Sequence, residues 1–214
     1  MRRFFFAVLC ATSTPAFGAW NESTSLWQER YFWDALLQAR DRVARGQSDP
    51  ALVPTLKAIA GQAEQQVANL QQIAIYVKAQ QDNLRYAFAQ DNPAASLATI
   101  AANLDTLGKG ADQVRSNLYF LTTRCRMASS QALPDQEMYQ ATLLILGQVQ
   151  QLQLQLNALY LDTVEGRRLV HENGWAADKA FKLRVESLLK SVVRVQDAVF
   201  AVYNAGYELA MRSR

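Results

Sequence analysis

Stepping alternately three and four residues along the chain meets apolar side chains over four long stretches, the mark of helices that bury one stripe. The first stretch passes through Leu56, Ala60, Ala63, Val67, Leu70, Ala74, Val77, Gln81, Leu84 and Phe88, with Gln81 its polar exception. The second passes through Leu97, Ile100, Leu104, Leu107, Ala111, Val114, Leu118, Leu121 and Cys125 without a polar break. The third runs Met138, Thr142, Ile145, Val149, Leu152, Leu156, Leu159 and Thr163. The fourth runs Phe181, Val185, Leu188, Val192, Val195, Val199, Val202, Gly206 and Leu209. These are coiled-coil-like seams, which favour side-by-side packing at shallow angles of about 20°.

Helix breakers separate the stretches: Gly46 to Pro50 with Pro54 close behind, Asp91-Asn92-Pro93, Ser129 to Asp135, and Asn173-Gly174. Asp49-Pro50, Asn92-Pro93 and Pro134-Asp135 read as helix starts, because Asp and Asn cap free amides and proline suits a first turn. Gly46 and Gly174 suit left-handed caps at helix ends. Gly108-Lys109-Gly110 interrupts the second stretch and reads as a kink or a close helix contact. Each stretch runs for roughly 35 residues, or about 50 Å as a helix. Links of a few residues force neighbours to run antiparallel. The expected fold is all-α: an elongated antiparallel up-down-up-down bundle of four long helices, plus a shorter N-terminal helix over about 25–45 on one end or flank.

The start of the chain has a different character. Arg2 and Arg3 precede an apolar run from Phe4 to Ala11, followed by a small and polar stretch ending in Ala16-Phe17-Gly18. That is the three-part pattern of a cleavable secretory signal, with cleavage near Gly18/Ala19. It divides the chain into a signal peptide, 1–18, and a single helical-bundle domain, 19–214, and places the mature protein in the periplasm or outside the cell. A single residue precedes the arginines, too short a polar region for a twin-arginine signal, and Leu9 precedes Cys10 where a lipoprotein signal carries a small residue. No later stretch approaches the 18 or so unbroken apolar residues of a membrane-spanning helix.

Charge and cysteine content narrow the partners. The chain has 22 Lys and Arg against 19 Asp and Glu, and losing Arg2 and Arg3 with the signal leaves 20 against 19. A near-neutral mature chain offers no electrostatic case for nucleic acid, whose binding needs clustered cations. Cys10 leaves with the signal, so Cys125 remains and no intramolecular disulfide can form, although the compartment permits one.

Candidate sites are few. Three of the four tryptophans fall within fourteen residues, in Trp20, Trp27, Tyr31, Phe32 and Trp33, an aromatic band too wide for one helix face. It reads as a partner-binding surface, or as a plug for the bundle's open end. Glutamines crowd the first long stretch (Gln62, Gln65, Gln66, Gln71, Gln72, Gln80, Gln81) and the third (Gln148, Gln150, Gln151, Gln153, Gln155), either as solvated faces or as polar faces that hydrogen-bond to another helix or subunit, and the seam residues Gln81, Thr142 and Thr163 are candidates to set register. Cys125 reads as a buried apolar group and His171 as a surface residue near a helix C-terminus. One histidine excludes the paired Glu-x-x-His motifs of di-iron bundles, and the chain has no haem-attachment, phosphate-loop or nucleophile-elbow motif. Carboxylates such as Asp105, Asp112, Asp162 and Glu165 fall off the seams. No enzyme and no cofactor or metal is expected.

The motif-free, Gln-rich exported bundle broadly resembles, in architecture, helical components of type IV secretion and conjugation machines such as the pilus-tip minor subunit. It departs from them in its short links, which leave no room for the small extra domain such subunits carry. The leading expectation is a non-enzymatic exported protein that docks onto a protein partner or a cell-envelope assembly, with homo-oligomerisation compatible with the same faces. The alternatives are a periplasmic small-molecule-binding or sensor-like bundle, akin to the extracytoplasmic bundles of chemoreceptors, and a chaperone or inhibitor of an exported client.

Overall fold

A computed structural model describes residues 51–214, which form four long helices: α1 (Leu52–Phe88), α2 (Ala94–Ser129), α3 (Gln136–Glu172) and α4 (Lys179–Ser213). Among the described residues there is no strand and no helix long and apolar enough to cross a membrane. The expected signal peptide, the shorter N-terminal helix and the five aromatic candidates Trp20, Trp27, Tyr31, Phe32 and Trp33 lie outside the described residues.

The seams read from the sequence form the core. Every seam position named on α2, α3 and α4 is buried, from Leu97 to Leu209. On α1, Leu56, Ala60, Ala63, Leu70, Val77, Gln81 and Leu84 are buried, while Val67, Ala74 and Phe88 pack partly exposed against the core. A further heptad column on α1, Leu52, Ile59, Gln66, Ile73, Gln80 and Ala87, is also buried. A helix that touches two neighbours needs a wider apolar stripe than one coiled-coil seam provides.

Local chemistry accounts for the helix ends. The Asp135 carboxylate accepts from the amides of Glu137 (2.9 Å) and Met138 (3.0 Å), and that of Asp178 accepts from Phe181 (2.7 Å). At the start of α2, Asn92 Oδ1 accepts from the Ala94 amide at 3.4 Å, and Pro93 is the capping residue. One expectation is corrected. Gly174 does not take the left-handed conformation; instead the amide and the side chain of Asn173 both donate to the Leu169 carbonyl, closing the end of α3. Gly108-Lys109-Gly110 lies within α2, which is continuous there; a Cβ at Gly108 would meet nothing within 4 Å, whereas Gly110 is buried.

The helices alternate in direction, but their side-by-side order departs from a simple ring. Contacts join α1 to α2, α2 to α4, α4 to α3 and α3 to α1, so the consecutive helices α2 and α3 face one another only across the diagonal. The molecule is thus two antiparallel hairpins, α1–α2 and α3–α4, stacked so that α1 runs parallel to α3 and α2 parallel to α4. The parallel pairs are tied level by level: Gln81 Nε2 donates to the Asp162 carbonyl and Arg85 pairs with Glu165 (3.3 Å), while Arg184 pairs with Asp105 (3.1 Å) and Ser191 donates to Asp112 (3.4 Å). The link after α2 crosses the base of the bundle, burying Gln131, and the Asp135 amide then bonds the carbonyl of Ser213 at 2.9 Å.

The α1–α2 hairpin carries a repeated polar contact. Gln66 Oε1 accepts from Asn69 (3.2 Å) and from Asn117 of α2 (3.1 Å). Two heptads later, Gln80 Oε1 accepts from Asn83 (3.4 Å) and from Asn103 of α2 (3.2 Å). Fourteen residues, two heptads, separate both Gln66 from Gln80 and Asn103 from Asn117. Of the seam residues expected to set register, Gln81 bonds across to α3, whereas Thr142 and Thr163 donate within their own helix; the cross-helix contacts of Gln66 and Gln80 were not among those expected. Replacing either Asn103 or Asn117 with alanine is expected to cost about 1 kcal/mol, the usual net worth of a partly buried hydrogen bond. Urea denaturation of a double-mutant cycle with Gln80 or Gln66 measures it; a coupling near zero in both cycles removes the register role.

Candidate interaction surface

The groups that most often carry chemistry are kept apart or kept inert. Cys125 is buried in the α2 seam, where loss of hydration pushes its thiol up to about 12 despite the lowering influence of neighbouring Arg124. His171 stands exposed at the C-terminal end of α3, 3.9 Å from Glu186. Cys125 is close to the base of the bundle and His171 is at its top, so they do not form a thiol–base pair. Each of the four off-seam carboxylates has a partner across a parallel interface, as given above. Glu165 sits between Arg168 (2.7 and 2.8 Å) and Arg85, whose hydrogen bonds hold its carboxyl down at about 2.

The polar groups within the seams are also satisfied. The hydroxyls of Thr142 and Thr163 donate to carbonyls one turn back, Met138 (2.8 Å) and Leu159 (2.7 Å). Gln81 accepts from Lys78 at 3.1 Å besides donating to Asp162. Beside it a cavity of about 20 Å³, lined by Val77, Gln81, Leu84, Leu104, Thr163 and Leu188, has room for about one water. Among the described residues no cluster of His, Cys, Asp and Glu could hold a metal ion.

No protein family, curated protein or solved structure matches this chain. Function has therefore to be read from the surface itself.

That surface is lopsided. Among the described residues, the large apolar side chains exposed on α1 and α2 are Ile75, Tyr86 and Tyr119, well separated. Helices α3 and α4 expose eleven, and Trp175 stands 73% exposed in the link between them. Most of them fall into two groups. The first is a stripe on α3 opposite its buried seam: Leu144, Gly147, Gln151, Leu154, Ala158 and Leu161, all exposed and spaced alternately by three and four. Helix α3 is thus a helix with two seams, one buried and one facing outward. Gly147 has no internal reason to be small, since a Cβ there would meet nothing within 4 Å. Glycine in a helix interior costs about 1 kcal/mol relative to alanine, so this one runs against helix propensity.

The second group flanks the outer groove between α3 and α4. The Arg167–Glu186 ion pair, at 2.5 Å, marks the columns that border it. Steps of seven from Glu186 reach Val193, Phe200 and Tyr207, and steps of seven from Arg167 reach Tyr160, Gln153 and Leu146. Val193, Phe200 and Tyr207 are exposed, and Tyr203 stacks on Tyr207 with ring centroids 6.3 Å apart. At the same level Gly206 lets α3 come close, a Cβ there lying 3.1 Å from Leu146 Cδ2.

The glutamines divide along the same lines. Those of α1 that are buried, Gln66, Gln80 and Gln81, bond to other helices, whereas Gln150 and Gln151 of α3 face outward. The outward stripe of α3 was legible in Leu152, Leu154 and Leu156: alternation within a helix places the middle leucine on the opposite face.

Cys125 is expected to resist alkylation in the native protein and to react fully in denaturant; modification at neutral pH without unfolding would contradict its burial. Glu165 supplies a pH test. Its carboxyl is held below the ordinary carboxylate range, so its contribution to stability is complete above about pH 4.5 and is lost as pH falls through about 2. The destabilisation caused by Glu165→Gln should therefore shrink to nothing across that window, and should weaken with added salt because the site is exposed. Urea midpoints measured from pH 7 to pH 2 read it.

Proposed function

We propose that this chain is a non-enzymatic, exported helical-bundle protein that docks onto a protein partner of the cell envelope, and that the partner contributes an amphipathic helix to the outer stripe of α3. The observation that carries this reading is the second seam: Leu144, Leu154 and Leu161 are 55%, 59% and 66% exposed at the spacing by which coiled-coil helices meet. The small residues Gly147 and Ala158 allow a second helix to come close, and Gln140 and Gln151 offer polar partners within the same stripe. An apolar row of this kind left to water is the usual sign of an interaction site. A straight rod of about 55 Å suits contact with an elongated partner.

A small-molecule-binding bundle is less well supported. Such proteins hold their ligands in pockets on the order of 300–1,000 Å³, far larger than the cavity beside Gln81. Export rests on the pattern of residues 1–18.

Photoreactive residues placed in turn at Leu144, Gln151, Leu154 and Leu161, with Gln72 on the outer face of α1 as control, test the proposal in the native cell envelope. Adducts from the stripe should map by mass spectrometry to one partner, on residues stepping three, four or seven along a helix, and Gln72 should capture none of it. Adducts to this chain itself would replace the partner by a second copy. Equal capture at Gln72, or no ordered stepping, would end the docking reading.

A further inference from the structure

The outward row on α3 is complementary to itself when one copy is turned end for end. We propose that two copies of this chain pair through α3, antiparallel about a two-fold axis midway between Leu152 and Gln153, so that Leu144 of one copy faces Leu161 of the other, Gly147 faces Ala158 and Gln151 faces Leu154. This inference rests on the reading of that row as a helix-docking seam and names what covers the seam when no envelope partner does. The partner and the second copy then compete for one surface.

The pairing is that of an antiparallel coiled coil. Leu144, Gln151 and Ala158 repeat every seven residues, as do Gly147, Leu154 and Leu161, and an axis at this point sets each member of the first set opposite a member of the second. Every contact then occurs twice, once on each side of the axis, as a two-fold interface requires. The two small residues meet one another and let the helices approach closely at that layer, while the leucines of the outer layers meet each other. The buried seam of α3 already keeps a heptad repeat through Met138, Ile145, Leu152 and Leu159. The helix therefore follows a 3.5-residue period, and the outward row stays on one face along its length.

Charge selects this register and direction. From Met138 to Leu161 α3 has no charged side chain, the longest such run in the described helices, so a second copy brings no like charges together along the row. The ions begin where the run ends. One layer beyond the leucines Gln140 faces Glu165, and in the next Glu137 faces Arg168, an acid against a base at both ends of a contact about 47 Å long. Glu137 and Arg168 are both exposed, and the bonds of Arg168 to Glu165 and Glu172 lie within α3. A slip of one heptad in one direction sets Glu137 against Leu161, and in the other sets Arg168 against Leu144; either places a charge on an apolar layer. A parallel pair would set Glu137 on Glu137 and Arg168 on Arg168.

Disulfide trapping in the purified full chain tests the pairing, with Cys10 replaced by serine and Cys125 retained because its thiol is buried. Gly147→Cys mixed with Ala158→Cys should give a disulfide-linked dimer under mild oxidation. Neither variant alone should, because Gly147 of one copy stands eleven residues, or about 16 Å, along the helix from Gly147 of the other, beyond the span of a disulfide. The unsubstituted chain should sediment as a dimer that Leu154→Glu weakens at least about tenfold. Leu154 is exposed in the single bundle, so far-ultraviolet circular dichroism should be unchanged by that substitution. A chain that is monomeric at its highest soluble concentration, trapping by either single variant as efficient as by the mixture, or a dimer indifferent to Leu154→Glu would overturn the proposal. Capture of an envelope protein from the row by a chain that is monomeric in isolation would overturn the pairing and leave the docking reading intact.

Discussion

Two hydrogen-bonded triads hold the molecule in step. A seam of leucine, valine and alanine repeated every seven residues packs almost as well after a slip of one heptad, so apolar burial alone leaves two helices of this length free to choose among registers. Gln66 with Asn69 and Asn117, and Gln80 with Asn83 and Asn103, remove that freedom. A slip of seven residues separates both glutamines from their cross-helix partners. A slip of fourteen restores one triad and breaks the other. Each loss leaves a buried amide short of a partner, at a cost of about 1–3 kcal/mol, which is comparable to what a slipped seam would otherwise forgive.

The stacking of the two hairpins depends on a second set of polar contacts. Parallel helices cannot be joined by a short link, so nothing in the chain's connectivity holds α1 against α3 or α2 against α4. Gln81 with Asp162, Arg85 with Glu165, Arg184 with Asp105 and Ser191 with Asp112 supply the missing alignment. Apart from Gln81, which is buried within its seam, these contacts are at the edges of the apolar seams, where a side chain can reach a neighbouring helix. Most are partly exposed and contribute little free energy individually, but they discriminate between one level of stacking and the next. The crossing link at the base then follows, because the chain leaving α2 must reach the diagonal position to begin α3.

A rigid rod stabilised in this way has polar contacts reserved for its interior joints and apolar residues to spare on one side. The hairpin α1–α2 presents water with a mostly polar exterior, whereas α3–α4 carries leucines on its outer stripe and aromatic rings along its groove. Sustained exposure to water of so much apolar surface favours aggregation unless something covers it. The α3 stripe has the three-four spacing of a helix seam, whereas the groove carries its aromatic rings on α4, from Phe200 to Tyr207.

How much of this was readable beforehand depends on the kind of residue. Periodicity identified all four described helices and named one buried column on each, because burial of an apolar stripe is a property each helix carries in its own sequence; it missed the second column of α1, through Leu52, Ile59 and Ile73. Helix starts at Asp135 and Asp178 have local causes as well, though only the first was legible as one, since Asp178 lacks a neighbouring proline. Gln81 stood out as the polar break in an apolar seam, whereas Gln66 and Gln80 were hidden among other glutamines: their role depends on asparagines 51 and 23 residues away. The order of helices around the bundle, the crossing at the base and the sidedness of the exposed residues belong to no single segment. A sequence states which face of each helix avoids water; which helix meets that face, and which apolar residues are left over once all faces have met, is decided only when the four pack together.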